Sequence, residues 1–554
     1  MKSFILLFLV VLLIAPNHTF SQEITKEKDF IVHHYPSKIE LEFDNNTISS
    51  DIKVVNLLTN EEQLLEKNIP TSSTVFTLNK VHPSDLYSVE YTLNNTKSNT
   101  HSIAYIAAKS ASTGAMTVYF NHPVDIAYAQ TQQAVNLSTN LVNMLISYIN
   151  NCVATMDIAI YDSYSPSATT GIAGAINAAY TRGVQVRVIY DGSTSSTMIP
   201  LLNSAIPRLP SPTTSAYGIM HNKFVIFDAN NSNANIPFVW TGSTNWTTSQ
   251  INGPDKNSVI IIQDQSLALA YKIEFEEMWG SSTMTPNTTN SKFGPHKTDN
   301  TPHNFIIGGK NVQSYFSPSD GTTAKIVSAI NSANTDIEIA VMDLTRTDCS
   351  GTIITRYNGG VTNSNVLVDS NNPSGNQIVT LQATLPANHA QVYSGSGIMH
   401  HKFMVVDNYN SASDPLVLVG SHNWSTSAET KNDENTLIVH DANIANQYYQ
   451  AFAYLFGLAG GVITPPLSTT NSTYQNGLLK LYPNPNHGLL HFMSNQTIGH
   501  LDITVYDILG NKITSTSYDS FIQNTIDISN QPSGMYFIES TIDGSIEHFK
   551  IIKD

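Results

Sequence analysis

Two histidine–lysine pairs stand at identical spacings in this 554-residue chain. His221 and Lys223 are followed by Asp228, and His400 and Lys402 by Asp407, so each copy reads H-x-K-x4-D. A second block trails each copy: Gly242-Ser243-Thr244-Asn245-Trp246 and Gly420-Ser421-His422-Asn423-Trp424. Residues two apart on a strand face the same side, so each His projects with its Lys. Imidazoles near neutral pKa serve as nucleophile and proton donor. Lysine cations and asparagine amides stabilise charged oxygens. These groups suit a phosphodiester, whose anion repels nucleophiles and whose alkoxide leaves poorly. A single H-x-K pair is a weak signal. Two copies with matched flanks point to one active site built from two halves. The candidate catalytic set is His221, Lys223, Asp228, His400, Lys402 and Asp407, with Asn245 and Asn423 holding the phosphoryl oxygens.

The elements around the motif repeat with it. Each half opens on a short strand, Val118-Tyr119-Phe120 or Ser314-Tyr315-Phe316. In the first half Leu137, Leu141, Met144, Leu145 and Tyr148 recur at amphipathic-helix spacing. Buried strands Asp157–Tyr161 and Asp336–Ala340 follow, and a helix over 172–181 leads to strand Val186–Tyr190, the counterpart of Asn365–Val368. The motif strand and its partner come next, and a helix near Phe275–Trp279 or Tyr448–Phe456 closes each half. Alternating strands and helices predict an α/β layer architecture. Two such halves, 116–282 and 305–458, are expected to pair about a local two-fold axis within a monomer.

All-β modules flank this core. Residues 23–112 alternate in the strand manner (Lys38–Phe43, Ile52–Val55, Tyr87–Tyr91), with turns at Asn45-Asn46, Asn94-Asn95 and Ser98-Asn99, and predict a small β-sandwich without catalytic residues. Residues 283–304 and 459–477 have linker composition. The last stretch, 478–554, reads as strands with turns at Gly488, Gly510-Asn511, Gly534 and Gly544.

Bulk properties narrow the function. The formal charge is −16 and no Lys/Arg cluster occurs, which counts against binding to long nucleic acid through phosphates. Two cysteines, Cys152 and Cys349, sit at unmatched places and make neither a disulfide framework nor a metal-ligand spacing. Lys2, the apolar run Phe4–Ile14 and the small-residue site Thr19-Phe20-Ser21 form an export signal over 1–21. No later run reaches the roughly 18 apolar residues of a membrane span. The protein is expected outside the cytoplasm, released or held at the cell surface, without a transmembrane anchor.

At the doubled motif the chain resembles the phospholipase D superfamily over about residues 116–458. Met399–Phe403, Gly420–Trp424 and Asn432-Asp433-Glu434-Asn435 are most similar to its compact members, bacterial endonucleases and mitochondrial cardiolipin hydrolases. The resemblance implies a two-step mechanism without metal or cofactor. One His attacks phosphorus to form a phosphohistidine, and the other protonates the leaving alcohol and then activates water. It also implies that Asp228 and Asp407 are mainly structural. Glu434 stands where the family places a carboxylate that orients a motif histidine. Its ungapped counterpart is Lys256, beside Asp255. With Glu434 assigned to His400, that imidazole is the more basic. His400 is then expected to be the nucleophile and His221 the general acid, the reverse of the superfamily's frequent assignment.

The terminal module resembles the C-terminal sorting domains of type IX secretion through Leu481–Gly488, Val505–Gly510, Pro532–Tyr536 and Phe549–Lys553. That implies export across an outer membrane by the type IX machinery. Three readings follow for the whole: a secreted phospholipase D-like enzyme acting on phospholipid headgroups, a secreted nuclease using the same site, or a surface binding protein with an inactive core.

Overall fold

The computed structural model describes residues 23–463, except 44–47, 67–74, 94–99, 372 and 411, and residues 479–553, except 483–487, 508–510 and 543–544. The export signal over 1–21, the linker from 464 onward, the turns at Asn45-Asn46, Asn94-Asn95 and Ser98-Asn99, and Pro483–His487, Gly510 and Gly544 lie outside the described residues.

The centre of the chain is two eight-stranded sheets that share one order over seven strands and differ at one edge, where Val135–Asn136 follows its neighbour in the chain and runs parallel to it, whereas Asn304–Ile307 precedes its neighbour and runs antiparallel. In the first, Val135–Asn136, Met116–Phe120, Ser258–Ile262, Phe238–Gly242, Lys223–Phe227, Thr155–Ile160, Gln185–Tyr190 and Arg208–Pro210 lie side by side. In the second the order is Asn304–Ile307, Lys310–Ser317, Glu434–Val439, Leu416–Gly420, Lys402–Val406, Asp336–Val341, Asn363–Asp369 and Ala390–Tyr393. The motif strand lies inside each sheet, antiparallel to both neighbours. Its five residues are all buried in each half, as expected for a strand covered on both faces.

Helices Gln265–Trp279 and Ala442–Leu458 close the halves. Each begins on an aspartate that caps free backbone amides: Asp264 accepts from Leu267, and Asp441 from Asn443 and Ile444. Both helices feed a single hydrophobic core shared by the halves, in which Tyr271, Phe275, Phe316, Phe403, Tyr448 and Phe452 are buried together. Each half keeps a second core on its outer face. The halves therefore cannot separate without exposing the shared core, and their relative placement is set by packing.

Residues 23–107 form two four-stranded sheets over one core, a sandwich. Residues 283–304 are ordered: they contain the turn Gly294–His296 and bury Phe293 and the Lys297 side chain. The C-terminal module is a five-stranded antiparallel sheet around Leu490, Ile503, Val505 and Ile538. Cys152 and Cys349 are free and buried. Among the described residues no helix is long and apolar enough to cross a membrane.

Candidate active site

The two motif strands start at the boundary between the halves and exchange backbone there. His221 N–H donates to Asp433 O at 2.9 Å, and His400 N–H donates to Lys256 O at 3.0 Å. The matching bridges pair Met220 with Asp433 and Met399 with Lys256. Each motif histidine is therefore mounted on the opposite half.

This exchange corrects the assignment of Glu434. Its carboxylate accepts from Nδ1 of His221, at 2.8 and 3.0 Å from the two oxygens, and not from His400. His400 Nδ1 instead donates to Asn257 Oδ1 at 3.0 Å. Asn257, not Lys256, occupies the place of Glu434. Ser421 Oγ donates to Glu434 at 2.6 Å and Ser243 Oγ to Asn257 at 3.0 Å, in mirrored positions. The ungapped count fails because eleven residues lead from Trp246 to Asn257 and ten from Trp424 to Glu434. Two residues earlier the types invert. Asn432 Nδ2 donates to Glu434 at 3.2 Å, whereas Asp255 accepts from the Ile398 amide at 2.9 Å. Each side holds one carboxylate and one amide, but only the Glu434 side sets its carboxylate against an imidazole.

Acceptors on both Nδ1 atoms place the ring hydrogens there and leave both Nε2 atoms with lone pairs. His221 and His400 are each 6% exposed, so both imidazoles are almost fully covered. Burial lowers the His221 pKa to about 4 against the opposing charge of Glu434. Burial lowers that of His400 well below the usual value, reinforced by Lys402, Lys223 and His221. Glu434 is held at about 2: burial opposes its ionisation, but His221 and Lys223 outweigh burial.

The lysines fold back over the same backbone. Lys223 Nζ donates to His221 O at 2.6 Å and Lys402 Nζ to His400 O at 2.7 Å. Burial lowers both; Lys402 comes to about 8, and Lys402 further depresses Lys223. The neighbours differ. Tyr161 lies 4.9 Å from the His221 ring and 5.1 Å from Lys223 Nζ, whereas the Met342 sulfur lies 3.9 Å from Lys402 Nζ. An anion entering between these cations relieves their repulsion and restores their charge.

Asn245 and Asn423 are held on matched loops. Trp246 N–H and Trp424 N–H donate to Asp162 O and Asp343 O at 3.0 Å each, beneath buried indoles. Both asparagine Oδ1 atoms are buried without a partner. A β-carbon at Gly242 or Gly420 would sit 2.3 Å from Ser258 O or 2.0 Å from Asn435 O, so only glycine allows these loops to lie against the next strand.

Asp228 and Asp407 end the motif strands away from the imidazoles. Both have left-handed backbones, at φ 55° and 56°. Asp228 accepts from the amides of Val153, Ala154 and Thr155 at 2.6–2.9 Å, and Asp407 from those of Asn334 and Thr335 at 2.8 Å. Both aspartates of the candidate catalytic set thus tie the preceding helix–strand turn to the motif strand.

Two further aspartates escaped the sequence reading. Asp191 accepts from Met220 N–H at 2.8 Å and Asp369 from Met399 N–H at 2.7 Å, bracing the residue before each histidine. Their signal is the aspartate that ends the matched strands, after Tyr190 and Val368. Asn257 had no such signal because of the extra residue. Among the described residues one group of potential metal ligands, Asp299, His303 and Asp320, has its atoms within 4.8 Å of one another, and none of the three belongs to either motif.

A family model described as the PLD-like domain of cardiolipin synthase matches residues 145–279 and again 326–456. The secretion system C-terminal sorting domain matches 480–554. The chain carries a doubled phospholipase D-like domain and a type IX sorting domain. The mitochondrial cardiolipin hydrolase of Xenopus tropicalis is 31% identical over 128 residues, 23% of this chain and 54% of the relative. That of Homo sapiens is 29% identical over 138 residues, 24% of this chain and 49% of the relative. The chain thus spans about half the length of the curated relatives it matches. Among solved structures, Nuc from Salmonella typhimurium, a phospholipase D family member, aligns at 23% identity over 27% of this chain and 95% of its own, with a TM-score of 0.23. The phosphatidylserine synthase of Haemophilus influenzae Rd KW20 aligns at 14% identity over 60% and 88%, with a TM-score of 0.41.

Proposed function

We propose that the paired half-sites hydrolyse phosphodiesters in two steps, with His221 as nucleophile and His400 as acid and base. The observation that carries this reading is the Glu434–His221 hydrogen bond set against the Asn257–His400 one. A carboxylate on Nδ1 raises the basicity of Nε2 and stabilises positive charge on the ring. A neutral amide orients the ring without holding a second proton, so His400 releases it more readily. This reverses the roles expected when Glu434 was assigned to His400.

In the first step His221 Nε2 attacks phosphorus, the bond to the leaving oxygen breaks, and that oxygen takes the proton from His400 Nε2. In the second, His400 removes a proton from water. The water oxygen attacks phosphorus and the P–N bond breaks, releasing a phosphomonoester and free His221. Lys223, Lys402, Asn245 and Asn423 hold the phosphoryl oxygens.

For substrate, we read phospholipid headgroup diesters over nucleic acid. The net charge of −16 supports this, since a polyanion gains little from an acidic surface. The sorting domain marks the chain for secretion through the type IX system. The test gives the full chain phosphatidylcholine, cardiolipin and single-stranded DNA, each with chelator. Headgroup or phosphatidate release without DNA cleavage is the expected result. DNA cleavage alone overturns the lipid reading, and turnover of no diester overturns the enzyme reading in favour of a binding protein. Activity lost to chelator contradicts the metal-free mechanism.

A further inference from the structure

We propose that Lys297, with Glu274 and Asp433, is a positioning cluster that locks the strand carrying Glu434 onto the half that carries His221. The proposal rests on the reading of His221 as nucleophile and adds the means by which its carboxylate partner is held in place.

The three residues come from three elements. Glu274 lies on the closing helix of the first half, Lys297 on the connection between halves, and Asp433 immediately before Glu434. Lys297 Nζ contacts the Glu274 carboxylate and lies 3.6 Å from Asp433 Oδ1. The three side chains are 0%, 1% and 3% exposed, so solvent does not screen them. Asp433 Oδ1 also accepts from Gly294 N–H at 2.7 Å, on the same connection. The backbone of Asp433 holds the motif: its carbonyl accepts from His221 N–H at 2.9 Å, and its amide donates to Ile219 O at 3.0 Å. One residue further on, Glu434 takes the imidazole hydrogen. A displacement of Asp433 therefore moves both contacts of His221 at once.

Burial disfavours the Lys297 charge, but Glu274 and Asp433 outweigh it, with Asp320 adding to the same field; burial in turn raises Glu274 to about 8 and Asp433 to about 6 against the pull of Lys297. Buried charge pairs add little stability over apolar packing, and fixing one geometry is a better-attested use for them. The opposite side lacks this cluster. At the place of Asp433 stands half-buried Lys256, whose ammonium donates to Pro254 O. Asn257 is secured there by a neutral bond, its N–H donating to Asn121 Oδ1 at 2.8 Å. The charge lock thus serves the carboxylate-bearing half-site alone.

The experiment compares the full-length wild type with Lys297→Met and Lys297→Arg, each first checked by circular dichroism and melting. Nitrogen-15 histidine spectra follow the Nδ1–H of His221, and kcat and KM are measured across pH on bis(4-nitrophenyl) phosphate. Lys297→Met is expected to lose or broaden the Nδ1–H resonance, to lower kcat tenfold or more at unchanged KM, and to displace the pH–rate limb set by His221. Lys297→Arg is expected to retain the resonance and most of kcat. A folded Lys297→Met protein with the wild-type resonance and pH–rate profile overturns the proposal. If Lys297→Met does not fold, Glu274→Gln with Lys297→Gln removes the closest charge pair at similar volume; the same losses are expected, and a wild-type resonance again overturns it. A wild type that turns over no diester removes the functional reading, while the resonance still decides whether the lock exists.

Discussion

Glu434, in the second half of the chain, accepts the Nδ1 hydrogen of His221, in the first, at 2.8 Å. The half-sites are therefore interlocked, and each histidine bonds the backbone that leads into a strand of the opposite half, His221 at Asp433 and His400 at Lys256. On the proposed reading, that relationship makes His221 the stronger base.

Trapping the covalent intermediate tests the roles. In single-turnover reactions with a phosphorus-labelled diester, His221→Ala is expected to retain no label. His400→Ala should still accumulate phospho-enzyme from substrates with good leaving groups, because attack needs only His221. Label on His221→Ala and none on His400→Ala would restore the opposite assignment.

The carboxylate and the amide should not be interchangeable. Glu434→Gln keeps an acceptor but removes the charge that supports the His221 cation, and kcat is expected to fall roughly ten- to a hundredfold. Asn257→Asp places a charge on His400 Nδ1 and makes it a weaker acid. Its defect should grow as the leaving alcohol becomes more basic, measured over a series of substituted phenyl esters.

Asp228 is expected to matter for stability and not for turnover. Asp228→Ala strands the amides of Val153, Ala154 and Thr155 and forces alanine to a left-handed backbone. A loss of about 3 kcal/mol in denaturant unfolding is expected, with kcat per folded molecule near that of wild type. A folded, stable variant with abolished turnover would return Asp228 to the chemistry.

The pH–rate profile follows from the buried groups. His221 attacks only when neutral and its pKa is lowered to about 4, whereas His400 donates only when protonated and burial lowers its pKa well below the usual value, so kcat/KM should decline as pH climbs above about 4. Lys402 binds oxygen anions only when charged, and its pKa is lowered to about 8, so a further decline, after that set by the histidines, should follow above about 8. A limb at the ordinary histidine value would show that His221 is not the group titrating.

Acid should also destabilise the fold through a second histidine pair. His122 Nε2 lies 2.7 Å from His401 Nε2 in the shared core, and burial lowers the His122 pKa to about 3. The unfolded chain takes up a proton as pH drops below the ordinary value of 6.5, and the fold refuses it until about 3. Stability should therefore decline between those values, at up to about 1.4 kcal/mol per pH unit for this group. Replacing both residues by apolar side chains of similar size should lessen the fall of the melting temperature over that range, His221 and His400 supplying the remainder.

The doubled H-x-K-x4-D spacing, the G-S-x-N-W blocks and the apolar strand runs were enough to place two equivalent α/β halves and their polar residues. Strand period and helical spacing are local properties, and they carried the order of elements and the face on which His221, Lys223, His400 and Lys402 lie. The partners of the histidines are not local. One inserted residue shifts Asn257 into the place that Lys256 holds in an ungapped count, and the crossing of backbone at Met220 and Met399 sends Glu434 to the other half. Asp228 and Asp407 look catalytic in the motif because spacing records position along the strand and not distance from the imidazoles. The sequence by itself determined the chemistry available and the number of half-sites. Packing of the two sheets around one shared core decided which carboxylate meets which imidazole, because that contact joins residues 213 positions apart.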